Sequence, residues 1–334
     1  MVYVTGATGL IGSYLLLELS KRGKKIRALK RKTSNLNSVK NLFTAFGASQ
    51  LFDKIEWVEV DLLDVINLSK SLEGIETIYH TAASVGFDER NRKEIHEINV
   101  TGTENLVNMA IDSDVKNIVY LSSISVLDKN PSNKIISENS GWDPQQIHSE
   151  YAISKKKGEM AVWRGSQEGL NVIVLYPSIV IGSLDGSRAS ENIFKLAHRK
   201  KAFASKGITG YVEVRDVVFC LAELVEKKHF NQSFLLNSEE KSFLEIFEFL
   251  RNRWGLGSTK VLTKRKLKFI KAISQISRIF GSRYISQSSY LALIRKSKFS
   301  NQKIKDAIGI EFQSVEEALI FHGDRYLKMK QNTQ

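Results

Sequence analysis

Val2-Tyr3-Val4-Thr5-Gly6-Ala7-Thr8-Gly9-Leu10-Ile11-Gly12 decides how this chain folds. A β-branched run enters a turn holding three glycines, and apolar residues of helical spacing continue from Leu10 to Arg22. In such a strand–turn–helix unit the glycines allow the tight turn, let the backbone approach a pyrophosphate, and let helix and strand pack closely. The helix N-terminus then offers free N–H groups to the anion. The stretch therefore predicts a dinucleotide site built from Gly6, Thr8, Gly9, Leu10, Ile11 and Gly12, in the strand and helix context that isolated glycines lack.

Outward from this loop, short β-branched runs at Lys25–Leu29, Ile55–Val60, Thr77–Thr81, Asn117–Leu121 and Val172–Tyr176 read as strands. Helical spacing at Asn91–Ile111 and Glu150–Glu168 separates them. Strand–helix–strand order implies right-handed crossovers, so the expected fold class is α/β, a Rossmann-type doubly wound parallel sheet. After Gly182 the pattern turns helical, at Glu191–Lys200, Asp216–Lys227, Ser242–Trp254, Lys264–Phe280 and Ser314–Lys328, with short strands near Tyr211–Val214 and Ser233–Leu236. The expected division is a dinucleotide-binding domain over residues 1–180, to which segments of about 208–237 return, and a smaller, mostly helical substrate lobe over residues 181–334.

With 334 residues, 42% hydrophobic and 25% charged, the chain is globular and neither disordered nor fibrous. The lone Cys220 excludes an intramolecular disulfide and suits a reducing compartment. The longest apolar stretch, Val172–Ile181, contains Pro177 and Ser178, so neither a signal peptide nor a membrane span is expected, and the location read from this is cytoplasmic. No metal-ligand spacing appears among six His and one Cys. The net charge of +13 is local: Arg251–Lys305 holds 15 basic residues and no acid, leaving the remainder slightly acidic.

Two further stretches bear on the cofactor. Lys24–Lys32 reads KKIRALKRK, with no acid where a site for NAD places one against the ribose 2′-OH. Arg31 and Lys32 suit a 2′-phosphate, which points to NADP, with NAD and a merely solvated strand end as alternatives. Asp61-Leu62 is placed to accept the adenine amino group, although the acid would serve equally as a helix N-cap. Farther on, Tyr151-Ala152-Ile153-Ser154-Lys155 opens a helix and puts Tyr151 and Lys155 one turn apart on one face. A cation close to a phenol favours the phenolate, so the pair reads as an acid/base unit, with Ser122-Ser123 at the end of the fifth strand beside the crevice.

The motifs TGATGLIG, VDLLD, HTAA, INVTGTENLV, YLSS, YAISK and LYPSIVIG, in this order from Val2 to about Asp216, resemble the extended short-chain dehydrogenases/reductases. Within that superfamily they look most like the dihydroflavonol 4-reductase and 3β-hydroxysteroid dehydrogenase branch. Beyond Lys227 the similarity is weak, apart from an endpiece at Asn301–Leu319. The resemblance implies an NADP(H)-dependent oxidoreductase acting on a ketone, an aldehyde or the matching alcohol. Tyr151 would be the proton donor, Lys155 would lower its pKa and bind the nicotinamide ribose, and Ser123 would hold the substrate oxygen. Ser123 is preferred to Ser122 because it falls three residues before Val126. Ala82 and Ala83 would line the cofactor, Asn99 would be structural or part of a water relay, and Pro177 and Ser178 would lie near the nicotinamide amide. Phe87 would be an apolar wall of the substrate site, or simply cap the core. His80 reads as a satisfied strand-end residue.

Tyr176-Pro177 stands where the family often has Arg-Pro, and only Asp185–Tyr211 separates the last two motifs. Both features disfavour a nucleotide-sugar epimerase or dehydratase using NAD, the alternative within the superfamily, and favour a compact, mostly apolar substrate. A dinucleotide sensor or assembly factor without turnover is the alternative outside enzymes. It has no need of Ser123, Tyr151 and Lys155 together. In the basic segment, Leu267, Ile270 and Ile273 share one helical face and lysines the other. The ordinary reading is a stripe packed on its own domain. Peripheral contact of residues 260–285 with an anionic membrane is a second reading. Nonspecific phosphate binding is a third, with no signature of specific nucleic-acid recognition. A homodimer is left open.

Overall fold

Seven strands form one parallel sheet in the computed structural model of the chain: β1 (Val2–Thr5), β2 (Ile26–Lys30), β3 (Glu56–Glu59), β4 (Thr77–His80), β5 (Asn117–Leu121), β6 (Asn171–Pro177) and β7 (Gln232–Leu236). The structure describes residues 1–85, 91–129, 135–186, 191–278 and 286–331, without the side chains of 275–278. The strand order is β7-β6-β5-β4-β1-β2-β3, so the connection that follows β1 and the one that reaches β4 leave in opposite directions. That reversal opens a crevice beyond the carboxyl ends of β1 and β4, which is where open α/β sheets bind ligands.

The central strands are continuous apolar runs because both faces of the sheet are covered. Tyr3, Val4, Val119 and Val174 are fully buried. On one face, helices Leu10–Lys21 and Val214–Glu226 pack together, burying Leu15, Leu16, Val217 and Leu221. On the other, Gly102–Ile111 and Glu150–Gln167 bury Leu106, Val107 and Val162. The Rossmann-type α/β fold is thus present, and its strands start and end within a residue or two of the expected positions.

The differences are local. The helix expected over Asn91–Ile111 is divided into Arg92–His96, a π-helical turn at Glu97–Thr101 and Gly102–Ile111. The strand expected near Tyr211–Val214 runs over Ile208–Glu213 and joins a second sheet, parallel to Ile179–Ile181 and antiparallel to Glu239–Ser242. Val214 instead opens a helix, because Glu213 caps it by accepting from the N–H groups of Arg215 and Asp216.

This second sheet, helix Phe243–Arg253 and helix Val315–Gln331 enclose a separate core containing Phe194, Tyr211, Ile246, Leu250 and Leu319. A buried chain of hydrogen bonds anchors the last helix. Ser183 N–H donates to His322 Nδ1 at 3.1 Å, so Nε2–H donates to Glu213 Oε1 at 2.6 Å.

The basic segment does not behave as one surface. Arg251 is buried and donates to the carbonyls of Ala197, Arg199 and Gly257. In helix Lys264–Arg278, Leu267 points inward, but Ile270 and Ile273 are exposed along with Phe269. Of the stripe only Leu267 is therefore packed on its own domain, where the ordinary reading of its spacing has all three residues inward. Among the described residues, no helix is long and apolar enough to cross a membrane, and no group of three His, Cys, Asp or Glu is placed to hold a metal.

Candidate active site

The loop after β1 is shaped by what lies against it. Gly6 has φ +65, and a Cβ there would sit 2.6 Å from Ala82 N. A Cβ on Gly12 would sit 2.1 Å from Gly6 O, so the first helical turn can rest on the loop only without a side chain. Gly9 is the N-cap, no side chain caps it, and the first turn carries no acid. The helix N–H groups and the positive end of its dipole are therefore left for an anion. Leu10 is buried and packs against Gly182, where a Cβ would meet its side chain at 2.8 Å, while Thr8 and Ile11 are partly buried.

At the adenosine end, Lys30 pairs with Glu59 at 2.6 Å, whereas Arg31 and Lys32 are exposed just beyond β2. Asp61 is also exposed, and its Oδ1 accepts the N–H of Leu63 in a tight turn. The helix-capping role goes to Asp64, whose Oδ1 accepts from Asn67 N–H. Leu62 is buried, and a Cβ on Gly102 would lie 3.0 Å from its side chain.

The strand ends near Ala82 and Ala83 are tied by one directed chain of hydrogen bonds. Thr103 gives its hydroxyl proton to Asn99 O, so it accepts from His80 Nε2–H at 2.9 Å. His80 Nδ1 then accepts from Thr5 Oγ1 at 2.7 Å, and Thr5 accepts from Ala82 N–H. Burial pushes the His80 pKa down to about 3, with Lys155 adding to the shift, so this imidazole is neutral and structural. Asn99 sits in the π-turn and is buried there. Its side-chain oxygen accepts from Ser84 N–H, and its amide donates to Ser84 O and Ser154 Oγ. A π-turn inside a helix often marks a functional site. Here it lets one amide connect the loop after β4 to the helix of Tyr151. Phe87, farther along that loop, lies outside the described residues.

The two serines after β5 part company. Ser122 is buried and donates to Glu159 Oε2 at 2.9 Å. Ser123 is partly buried, accepts from Ser125 N–H and Oγ, and stands close enough to the phenol of Tyr151 to lower its pKa. Ser149 caps the Tyr151 helix. Tyr151 is half-buried, and desolvation pushes its pKa up to about 12 against the lowering effect of Ser123. Lys155, one turn on, is buried with its ammonium 4.0 Å from the centre of the Tyr120 ring. Desolvation pulls its pKa down to about 7, opposed by Glu159. The phenol is thus raised rather than lowered, because burial outweighs the effect of Ser123. It holds its proton at neutral pH, as suits an acid.

Glu159 was not singled out from the sequence. It is buried four residues after Lys155 and accepts from Ser122, Tyr176 and Lys156 at 2.9, 3.0 and 3.0 Å. The signal for it was an acid on the same helical face as Ala152, Lys155 and Gly158, all buried. Pro177 and Ser178 end β6 in the interior, and Ser178 Oγ is a buried hydroxyl with no protein partner. An uncapped helix N-terminus, a loop that a Cβ would fill and an orphaned hydroxyl across the crevice are what a dinucleotide with a phosphate bridge and a carboxamide requires.

Residues 2–233 match the NAD dependent epimerase/dehydratase family. This chain belongs to that family. It is thereby an NAD(P)-dependent oxidoreductase of the extended short-chain type, in keeping with the motifs read from Val2 to Asp216. Sterol demethylase protein B of Methylococcus capsulatus is 30% identical over 257 residues, covering 75% of this chain and 74% of its own length. A dihydroflavonol 4-reductase of Arabidopsis thaliana is 25% identical, with 95% and 86% covered. Among solved structures, a UDP-glucuronic acid 4-epimerase from Bacillus cereus, in complex with UDP-glucuronic acid and NAD, superposes with a TM-score of 0.78. It is 17% identical, and the match covers 98% of this chain and 99% of that one. That likeness is one of fold.

Proposed function

We propose that this family member reduces the ketone or aldehyde of a small, mostly apolar substrate, or oxidises the matching alcohol, with NADP(H) preferred over NAD. The observation that carries the reading is the phenol of Tyr151, protonated beside Ser123 and one helical turn from the buried Lys155. Residues 1–180, with β7 and its preceding helix, hold the dinucleotide, and residues 181–334 shape the substrate side. The loop Gly6–Gly12 takes the pyrophosphate, with Arg31 and Lys32 at the 2′-phosphate and Asp61-Leu62 at the adenine. Ala82, Ala83, Pro177 and Ser178 enclose the nicotinamide half, while Asn99 fixes the wall between them.

When bound, the dinucleotide supplies or accepts the hydride. Ser123 holds the carbonyl oxygen and Tyr151 gives it a proton. Lys155 offsets the charge left on the phenol and binds the ribose. The compact apolar substrate is supported by Tyr176, whose hydroxyl is committed to Glu159 in the interior, and by the reductase relative. The test is NADPH oxidation by the purified chain against a panel of aromatic and aliphatic carbonyls. Tyr151→Phe should lower turnover by about 100-fold or more, since a positioned acid contributes about 10²–10⁴-fold. Undiminished turnover overturns the assignment. NAD that stays bound through purification, with no net turnover, favours an epimerase.

A further inference from the structure

We propose that helix Lys264–Arg278 and the ribbon leading into it dock on a membrane surface carrying anionic phospholipid headgroups. Phe269 is 67% exposed on the side of the helix opposite the buried Leu267, and Ile273, 49% exposed, lies one turn on beside it. Around them Lys264, Arg265, Lys266 and Lys268 are exposed, and none forms an ion pair among the described residues. The patch continues onto the neighbouring ribbon, where Lys260 pairs in register with Phe203, itself 50% exposed, next to exposed Lys200 and Lys201.

Aromatic and branched aliphatic side chains ringed by cations suit the boundary between headgroups and acyl chains. A second copy does not fit the face, because the segment from Arg251 to Lys305 has 15 basic residues and no acid and would meet its own charge. Duplex nucleic acid would engage the lysines through its phosphates but give Phe269 and Ile273 no apolar surface to bury against.

The place of the helix in the fold gives the contact a use. Lys271 donates to Gln287 and lies 5.4 Å from the ring centre of Tyr290, which joins it to helix Gln287–Ile294. The segment after that helix joins the stretch of chain that leads to Tyr151: Lys298–Phe299 pairs with Ile135–Ile136, Lys129 donates to Lys296 O, and Arg295 donates to Gln146 Oε1. Ile147, 52% exposed, follows Gln146 in that stretch. Docking would bring the crevice mouth to the bilayer, where an apolar carbonyl compound concentrates. That use rests on the proposed reaction; the docking does not.

The experiment is co-sedimentation of the full chain with vesicles of phosphatidylcholine alone or mixed with phosphatidylglycerol, at low and high salt. Binding is expected with phosphatidylglycerol at low salt and not with phosphatidylcholine alone. Lys264→Glu with Lys268→Glu, and separately Phe269→Ser with Ile273→Ser, should each weaken partitioning by about tenfold or more. Both variants should keep wild-type turnover on a water-soluble carbonyl, which separates a failure of docking from a failure of the proposed reaction. Phe269→Trp supplies a second readout, a blue shift of its emission on adding anionic vesicles. The proposal is overturned by absent binding to anionic vesicles. It is equally overturned if the Phe269/Ile273 variant binds like wild type, which would mark the patch as a site for soluble polyanions such as nucleic acid.

Discussion

The loop Gly6–Gly12 and helix Lys264–Arg278 make opposite demands on their side chains. In the loop a single added carbon at Gly12 would lie 2.1 Å from a backbone oxygen. In the helix the ring of Phe269 is 67% exposed, and the fold needs little beyond the inward Leu267. The first region is constrained by close approach of strand and helix backbone. The second is buried only at Leu267 among its described side chains, which leaves the remaining surface to be shaped by a partner.

The largest effect should come from Gly12→Ala. Its neighbour is backbone and cannot swing aside, so overpacking should cost about 3 kcal/mol and NADPH binding should be lost, read by fluorescence titration. A Gly12→Ala protein with wild-type affinity would break the contrast at its stronger end. Next is Arg251→Ala, inside the lobe. It strands the buried carbonyl of Ala197 and the partly buried one of Arg199, at a cost of about 3 kcal/mol in urea denaturation. NADPH affinity should nevertheless stay unchanged, since none of these groups borders the loop. A parallel fall in affinity would show that the two regions are not separable.

How much was legible follows the same division. β1, β5 and β6 are buried on both faces, so their β-branched runs mark them without knowledge of their partners. The strands Phe203–Ser205, Lys260–Leu262 and Lys298–Phe299 exist only by pairing with distant segments, and nothing in their few residues announces it. In the site, the spacing of Tyr151 and Lys155 and the three glycines are local patterns, and they could be read. That Ser122 turns to Glu159 while Ser123 turns to Tyr151 depends on which way a strand end faces after three elements pack, as does the π-turn that presents Asn99. The exposure of Ile270 and Ile273 was misjudged for a related reason: periodicity shows that a stripe exists, not what covers it.

Lysine gives the finest test of the contrast, because both regions use it. Lys264 and Lys268 stand in solvent, where they attract anions from a distance. Lys155 is buried beside Tyr120, and burial lowers its pKa to about 7. Its ammonium is therefore full below that pH and is lost as pH rises through it, while Tyr151, raised to about 12, stays protonated throughout. In the reducing direction Tyr151 needs the cation to offset the charge it acquires on giving up its proton. The rate of carbonyl reduction should accordingly fall several-fold as pH rises from about 6 to about 8, over the range set by a group titrating near neutrality. Lys155→Arg, which stays charged, should flatten that limb even if its maximum is lower. The measurement is kcat/KM for NADPH-dependent reduction across this range. A profile that falls equally in both proteins would place the titration elsewhere, and one flat in the wild type would mean that the bound dinucleotide keeps Lys155 charged.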